Sequence, residues 1–366
     1  MIYSPFVVLL MSRSGKLVLV LISLLSLCHA DERFTVNVVK NGKDTTDCLQ
    51  GGKTPCLTID YVLRNLLQQQ RPSVRIVVST NQTLPSSEGY ISWTPSVTII
   101  GKKGVTFRCN DGVSLFLNFI YANTNSIFRM RGLHFENCRT DDDGIGFIVA
   151  YLKVFIAEDC TFRDGGVVSL ALVEDVTVSN CVFERLNGTM TPVLVYMATS
   201  IIAAVTSEKQ SIVIRNSQII NNRGLLDNST NSHNVGNGMM IFDLNGLQRN
   251  YSIHYDIIVE NCTIANNSMK GRILPIFRAE KSNNVSVNFT IVHTNFTNNS
   301  APPTILLGSD DHVDVELNVL DSVFQNSSMP LDRYGIQVMQ SIDSSGSSTN
   351  TLRTNIKRVQ FGDIII

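Results

Sequence analysis

The chain has 366 residues and a formal net charge of -1, with 43% hydrophobic and 17% charged residues. That composition is ordinary for one or two folded domains. A charge near zero gives no electrostatic case for binding nucleic acid.

Leu17 to Leu27 is an apolar run preceded by Arg13 and Lys16 and followed by Cys28-His29-Ala30. It is too short to span a bilayer and reads as a secretory signal peptide over residues 1–30, cleaved after Ala30. Met11 would give a tidier start than Met1, and an uncleaved signal anchor is the alternative reading. Export makes disulfides permissible. Seven cysteines follow the signal, namely Cys48, Cys56, Cys109, Cys138, Cys160, Cys181 and Cys262, so at least one thiol stays free or intermolecular. Cys48 and Cys56 enclose a Gly-Gly turn and are the best candidate pair, while Cys109 and Cys138 would close a longer loop. Asn-x-Ser/Thr sequons occur at Asn81, Asn187, Asn228, Asn250, Asn261, Asn266, Asn284, Asn288, Asn295, Asn298 and Asn326. Together, behind a signal peptide, they predict a glycosylated extracellular surface.

Residues 31–71 read as an N-terminal cap. Phe34 to Val39 alternates like a strand, and after the Cys48/Cys56 loop Ile59, Val62, Leu63, Leu66 and Leu67 form the stripe of an amphipathic helix. Thr58 is the expected N-cap, with Asp60 in the first turn. Val74 to Val78 and Val97 to Ile100 then lead into Gly101 to Phe107, a less regular first rung.

From Phe128 onward one frame recurs: two apolar residues at step two, a skip of three, then step two again. It reads Phe128, Met130, Leu133, Phe135; Phe155, Ala157, Cys160, Phe162; Val176, Val178, Cys181, Phe183; and Ile212, Ile214, Ser217, Ile219. It continues as Ile257, Val259, Cys262, Ile264; Phe289, Ile291, Thr294, Phe296; Leu317, Val319, Ser322, Phe324; and Thr354, Ile356, Val359, Phe361. A flat strand cannot bury all four positions, so a bend is required in the skip. The residue there is Gly132, Asp159, Asn180, Asn216, Asn261, His293, Asp321 or Arg358. All but Arg358 belong to types that tolerate a left-handed backbone, which predicts a one-residue αL corner.

After each corner strand the chain turns polar and re-enters an apolar run, as at Val167 to Val173, Val193 to Tyr196, Met239 to Phe242, Ile273 to Phe277, Thr304 to Leu307 and Ile336 to Val338. Three short strands per turn, stacked roughly 4.8 Å apart, describe an all-β parallel β-helix over residues 72–366, with about nine or ten rungs. A β-sandwich explains the alternation but not the repeated skip. Cys160 and Cys181 share a frame position, so they either form a disulfide between rungs or stack as buried thiols. The chain ends in mid-rung at Phe361 to Ile366, with strand character and no capping helix. The native polypeptide is therefore expected to continue, to pack this end on a partner, or to be truncated here.

The order of strand, helix, Val-Arg-Ile-Val-Val, Ser-Val-Thr-Ile-Ile-Gly and Asn-corner rungs resembles the pectin-lyase-like right-handed β-helix superfamily. Asp47-Cys48-Leu49 with Pro55-Cys56-Leu57-Thr58-Ile59-Asp60-Tyr61 is similar to the N-terminal region of secreted animal β-helix proteins, most without an assigned activity. The superfamily resemblance makes a Ca²⁺-dependent polysaccharide lyase or a glycoside hydrolase the enzymatic alternative. Paired carboxylates across a glycosidic bond would carry hydrolysis. The acidic clusters are Asp141-Asp142-Asp143 and Asp310-Asp311-His312 with Asp314. Each is a weak candidate for Ca²⁺ and is more simply a solvated loop.

His134, His233, His254, His293 and His312 show no metal-ligand spacing and no nucleophile motif. Trp93 before Pro95 reads as packing, and Val193 to Val205 reads as two buried strands because Pro192 and a Thr-Ser break interrupt it. With no catalytic set in view, the expected function is a non-catalytic, secreted or cell-surface module with no cofactor. It would bind an extracellular glycan or protein and meet a membrane only if the signal is retained or the chain continues.

Overall fold

The computed structural model describes residues 34–51, 54–66, 69, 71, 73–84, 90–92, 96–109, 118–121, 126–138, 145–188, 193–197, 209–225, 240–243, 253–270, 277–280, 285–299, 305–307, 313–325 and 352–362. The signal segment, Leu67, Trp93, Asp141 to Asp143, Asp310 to His312, His233 and the sequons at Asn228, Asn250, Asn284 and Asn326 lie outside them. The chain divides into Met1–Phe34 and Thr35–Ile366, so residues 35–71 belong to the same unit as the strands that follow.

The fold is all-β and its sheets are parallel, consistent with a parallel β-helix. One long side contains Val74–Val78, the first half of Ser96–Cys109, the first half of Ile127–Glu136, and the ends of Ile145–Glu158 and Val167–Ser179. It continues through Lys209–Arg215, Ile253–Glu260, Val285–Val292, Val313–Leu320 and Leu352–Lys357. In register, Val97, Phe128, Phe155, Val176, Ile212, Ile257, Phe289, Leu317 and Thr354 stack in one column. Most of that column is fully buried, because side chains at step two share one face of a strand. The last strand loses that cover. Thr354 is exposed, and Ile356 in the neighbouring column is 49% exposed, since their strand pairs only with Val313–Leu320 among the described residues.

The backbone turns at each predicted corner with φ between 48° and 65°, from Gly132 (65°) through Asn216 (51°) to Asp321 (48°) and Arg358 (51°). The corner amides then bond to the next rung, as in Asn216 N–H to Glu260 O at 2.9 Å and Asn261 N–H to Val292 O at 3.0 Å. A strand of three residues follows, such as Val182–Glu184 or Thr263–Ala265, whose middle side chain points inward. There Phe107 meets Phe135 edge to face at 5.5 Å between ring centroids, and Phe135, Phe162 and Phe183 stack at 5.1 and 5.0 Å.

A second left-handed corner ends this short side, at Asn137, Asp164, Arg185, Asn221, Asn266 and Asn298. The polar residues after each short strand turn the backbone again, as the reading of Asn266-Asn267 as a crossing of the next corner requires. In three turns this opens a further side of two or three residues, Asn187–Gly188, Arg223–Leu225 and Ser268–Lys270, paired in a sheet of their own. Those turns therefore have four sides, not three. Buried asparagines support the extra corner. Asn222, Asn267 and Asn299 are each 1% exposed and bond head to tail, Asn222 Nδ2 to Asn267 Oδ1 and Asn267 Nδ2 to Asn299 Oδ1, both at 3.0 Å. A neutral amide donates and accepts at once, so each satisfies backbone groups that the corner strips of strand partners. The remaining side contains Leu194–Met197, Met240–Asp243, Phe277–Glu280 and Ile305–Leu307. Of the expected run from Ile273 to Phe277 only Phe277 lies among the described residues, at the start of the strand Phe277–Glu280.

At the N-terminal end, the helix Ile59–Leu66 buries Ile59, Val62, Leu63 and Leu66. Thr58 Oγ accepts the Tyr61 amide at 3.3 Å, the bond of an N-cap. Asp44, four residues before Cys48, accepts the Leu57 and Thr58 amides and the Thr58 hydroxyl at 2.9, 3.0 and 2.7 Å. Gln82 stands in line with the aromatic column, and its Oε1 accepts the Ile59 amide at 2.9 Å. Gly101 and Gly132 pass in contact: a Cβ on Gly101 would lie 2.3 Å from the Gly132 carbonyl oxygen.

Candidate functional site

Along the long side, every second residue faces outward, and in the C-terminal half most of these residues are polar, with Val213, Ile258, Val292 and Leu320 as the apolar exceptions. In register they form three rows. Lys209, His254, Ser286 and Asp314 make one; Asp175, Ser211, Asp256, Asn288, Glu316 and Arg353 make the second; Thr290, Asn318 and Asn355 lie in the third. Neighbours in a row are about 4.8 Å apart, near enough for side chains to bond directly.

Asp256 is the hub. Its carboxylate lies 2.7 Å from Lys209 Nζ and 3.0 Å from His254 Nε2, and it accepts Asn288 Nδ2 at 3.1 Å. Burial alone would push this carboxyl up, but the bonds from Lys209, Asn288 and His254 outweigh it and hold Asp256 below the usual carboxylate range. The other ring nitrogen, His254 Nδ1, lies 2.7 Å from Ser286 Oγ. Asn288 Oδ1 in turn accepts Asn318 Nδ2 at 3.2 Å, and Asn318 Oδ1 accepts Asn355 Nδ2 at 3.1 Å. A groove of about 170 Å³ runs over this network, lined by His254, Ser286, Asn288, Asp314, Glu316 and Arg353 among others.

Asp256, His254 and Ser286 thus bring together the three residue types of a nucleophilic triad, with the two imidazole nitrogens exchanged: Nδ1 faces the serine and Nε2 the carboxylate. The histidine list drawn from sequence spacing finds no such neighbour, because His254 meets Ser286 across 32 residues of chain. The signal was nonetheless present in the repeat. His254, Ser286, Asp314 and Lys209 each stand eight residues before an inward residue that follows a corner, at Cys262, Thr294, Ser322 and Ser217. Asp256, Asn288, Glu316 and Arg353 stand six before the same positions, the last before Val359.

The other expected residues are dispersed. Asp314 faces the groove and is exposed, while its companions Asp310 to His312 fall outside the described residues. His293 is a corner residue 3.6 Å from Asp321 Oδ2, and Asp321 is held below its ordinary range first by its bond to Arg358. Cys48 pairs with Cys56, and Cys109 with Cys138, as disulfides. Asp44 gathers with Cys48 and Cys56, but both sulfurs are spent in the disulfide and the carboxylate is already hydrogen-bonded, so the group does not suit a metal. Cys160, Cys181 and Cys262 are buried thiols. The bond to Cys160, with burial, raises the Cys181 thiol well above its usual value, and burial pushes Cys262 up to about 11. This places Cys160 and Cys181 in the stacked-thiol arrangement rather than in a disulfide.

Of the sequons, Asn81, Asn261, Asn266, Asn295 and Asn298 are exposed or half-exposed at the surface of the short side, whereas Asn187 and Asn288 are half-buried. Among the described residues, no helix is long and apolar enough to cross a membrane. Comparison of the chain with known protein families, characterised proteins and solved structures gives no match.

Proposed function

We propose that the chain is a non-catalytic extracellular module, a right-handed parallel β-helix of the pectin-lyase-like kind with about nine or ten rungs, whose polar long face binds a glycan or a protein. The helix Ile59–Leu66 serves as its N-terminal cap, laying one apolar stripe over the first rung. Two disulfides suit the oxidising compartment that export provides. The carrying observation is the hydrogen-bonded network from Lys209 to Asn355, in which the Asp256 carboxylate and the amides of Asn288, Asn318 and Asn355 are linked from one turn to the next. Ordered rows of planar acceptors and donors are the chemistry that pairs with sugar hydroxyls or with a polar peptide surface.

The test is a glycan array and a cell-surface pull-down with the secreted protein, repeated with Asp256→Ala and Asn318→Ala. A bound ligand lost in both variants supports the reading. Binding that both variants leave intact moves the ligand off this face.

Ester hydrolysis is a second reading, favoured by the Ser286–His254–Asp256 contacts. It is weaker because Ser286 stands mid-sheet, paired in register with His254 on one side and Asp314 on the other. Its strand's amides are therefore engaged in the ladder and offer no pair of free donors for an oxyanion. Fluorophosphonate labelling of Ser286, lost in His254→Ala, would instead support the enzyme. The lyase or glycosidase alternative rests on Asp141 to Asp143, and Ca²⁺-dependent polysaccharide cleavage lost on substituting them would overturn the non-catalytic reading.

A further inference from the structure

Among the described residues, the exposed sequons gather on one side. Asn261, Asn266, Asn295 and Asn298 all lie on the short side and its two flanking corners, in neighbouring turns. Asn261 and Asn266 bracket the strand Thr263–Ala265; Asn295, in register with Thr263, opens the next one, and Asn298 ends it. Asn81 belongs to the same side, since Gln82 is in register with Phe107 and the Thr106 amide donates to Asn81 Oδ1 at 3.0 Å. Asn81, Asn261, Asn266, Asn295 and Asn298 are all exposed on this side. Asn266 and Asn298 occupy left-handed corners at φ 55° and 53°.

Asn288 is the contrasting case. It sits in mid-strand on the long side, half-buried, with Asp256 and Glu316 as its in-register neighbours. Its Nδ2 donates to Asp256 Oδ1, and its Oδ1 accepts from Asn318 Nδ2 at 3.2 Å and from Thr290 Oγ at 3.4 Å. A glycan on Nδ2 would take one of the two N–H groups and force a sugar into the groove beside His254 and Arg353. Oligosaccharide is added before the chain has folded, so such a molecule would have to fold around it at the cost of the Asp256 contacts.

We infer that N-linked glycans coat the short-side edge, at Asn81, Asn261, Asn295 and at least one of Asn266 and Asn298, and that Asn288 stays bare in the folded, secreted protein. Among the described sequons the coat then stops short of the polar face. From Asn288 to Asn295 the chain runs along extended strand and around the corner at His293, roughly 20 Å of contour. Sugar at the described sequons therefore shields one edge of the coil and leaves open the Asn288 part of the face proposed to bind. This rests on the exported reading of the N-terminus.

The experiment separates the two. The full chain is expressed in secreting eukaryotic cells as it stands, and also with a strong secretory leader fused ahead of it. The folded product is treated with peptide N-glycosidase in H₂¹⁸O, and each sequon is scored by mass spectrometry for the ¹⁸O-labelled Asn-to-Asp change. The leader-fused chain is expected to show label on the short-side asparagines and none at Asn288. Thr290→Ser, which keeps the Asn288 sequon and a hydroxyl beside it, is expected to leave that pattern unchanged. Substantial label at Asn288, or a short side bare of label, overturns the inference. If the leader-fused chain shows the expected pattern while the native chain is neither secreted nor glycosylated, the glycan placement stands and the signal-peptide reading falls.

Discussion

At single residues, the left-handed corners make a sharp demand on side-chain type. Asn180 has φ 53°, a conformation that glycine adopts freely and that costs alanine roughly 1 kcal/mol or more. Asn180→Gly is expected to change stability by only a few tenths of a kcal/mol and Asn180→Ala to lower it by about 1 kcal/mol, measured by urea denaturation. Arg358, like Arg185, is a corner that residue type does not announce. The Arg358 guanidinium forms an ion pair with Asp321 in the previous turn, a contact with no counterpart in local propensity.

The buried thiols yield a chemical prediction. Cys160, Cys181 and Cys262 should resist iodoacetamide at pH 8 in the native protein and all react once it is unfolded, read by intact mass. Native alkylation of any of them would contradict their burial. Asp256 gives a pH dependence. Its native pKa is lowered, so its ionised form stabilises the fold above the unfolded value of about 4, and that contribution is lost as pH falls through the native value. Asp256→Asn should therefore cost stability at pH 7 and cost less at pH 3. An equal difference at both values would mean that the ion pairs do not contribute.

At the level of elements, two interior ladders hold the short side. Phe162 lies between Phe135 and Phe183, with near-parallel rings at 5.1 and 5.0 Å. Phe162→Ala should cost about 3–5 kcal/mol, because stacked rungs cannot collapse into the space. Asn267 is the polar counterpart. Its Oδ1 accepts both the backbone N–H and the Nδ2 of Asn222, each at 3.0 Å, and its Nδ2 donates to Ile219 O at 2.8 Å. Asn267→Ala leaves those buried groups unpaired and should cost roughly 2–4 kcal/mol in the same measurement. The aromatic ladder is legible as a periodic apolar position. The asparagine ladder is not, because Asn after Asn announces a corner, and only the folded backbone's second left-handed turn points the second amide inward.

Across the whole molecule, each turn touches mainly the turns before and after it, so stability is close to a sum of neighbouring interfaces. The two disulfides lie in the N-terminal part of that stack and close loops of 8 and 29 residues' separation. Chain entropy then makes the Cys109–Cys138 bond worth roughly 4 kcal/mol and the Cys48–Cys56 bond roughly 3. Cys109→Ala with Cys138→Ala should accordingly lower the denaturation midpoint more than Cys48→Ala with Cys56→Ala. The opposite order would show that strain or residual unfolded structure outweighs loop length.

Amino-acid order alone determined the interior of this protein: the two apolar columns of the long side, the aromatic column of the short side, and the first corner. These follow from the alternation of a strand and from the backbone freedom of Gly, Asn and Asp, both local properties. Tertiary structure alone decided which outward side chains meet. His254 reaches Ser286 and Asn288 reaches Asp256 across 32 residues each, and Asn261 reaches Asn216 across 45. The length of the intervening loop says nothing about such a meeting. Backbone hydrogen bonds return every turn to the same register, and only that register brings a serine, a histidine and an aspartate to one place on the surface.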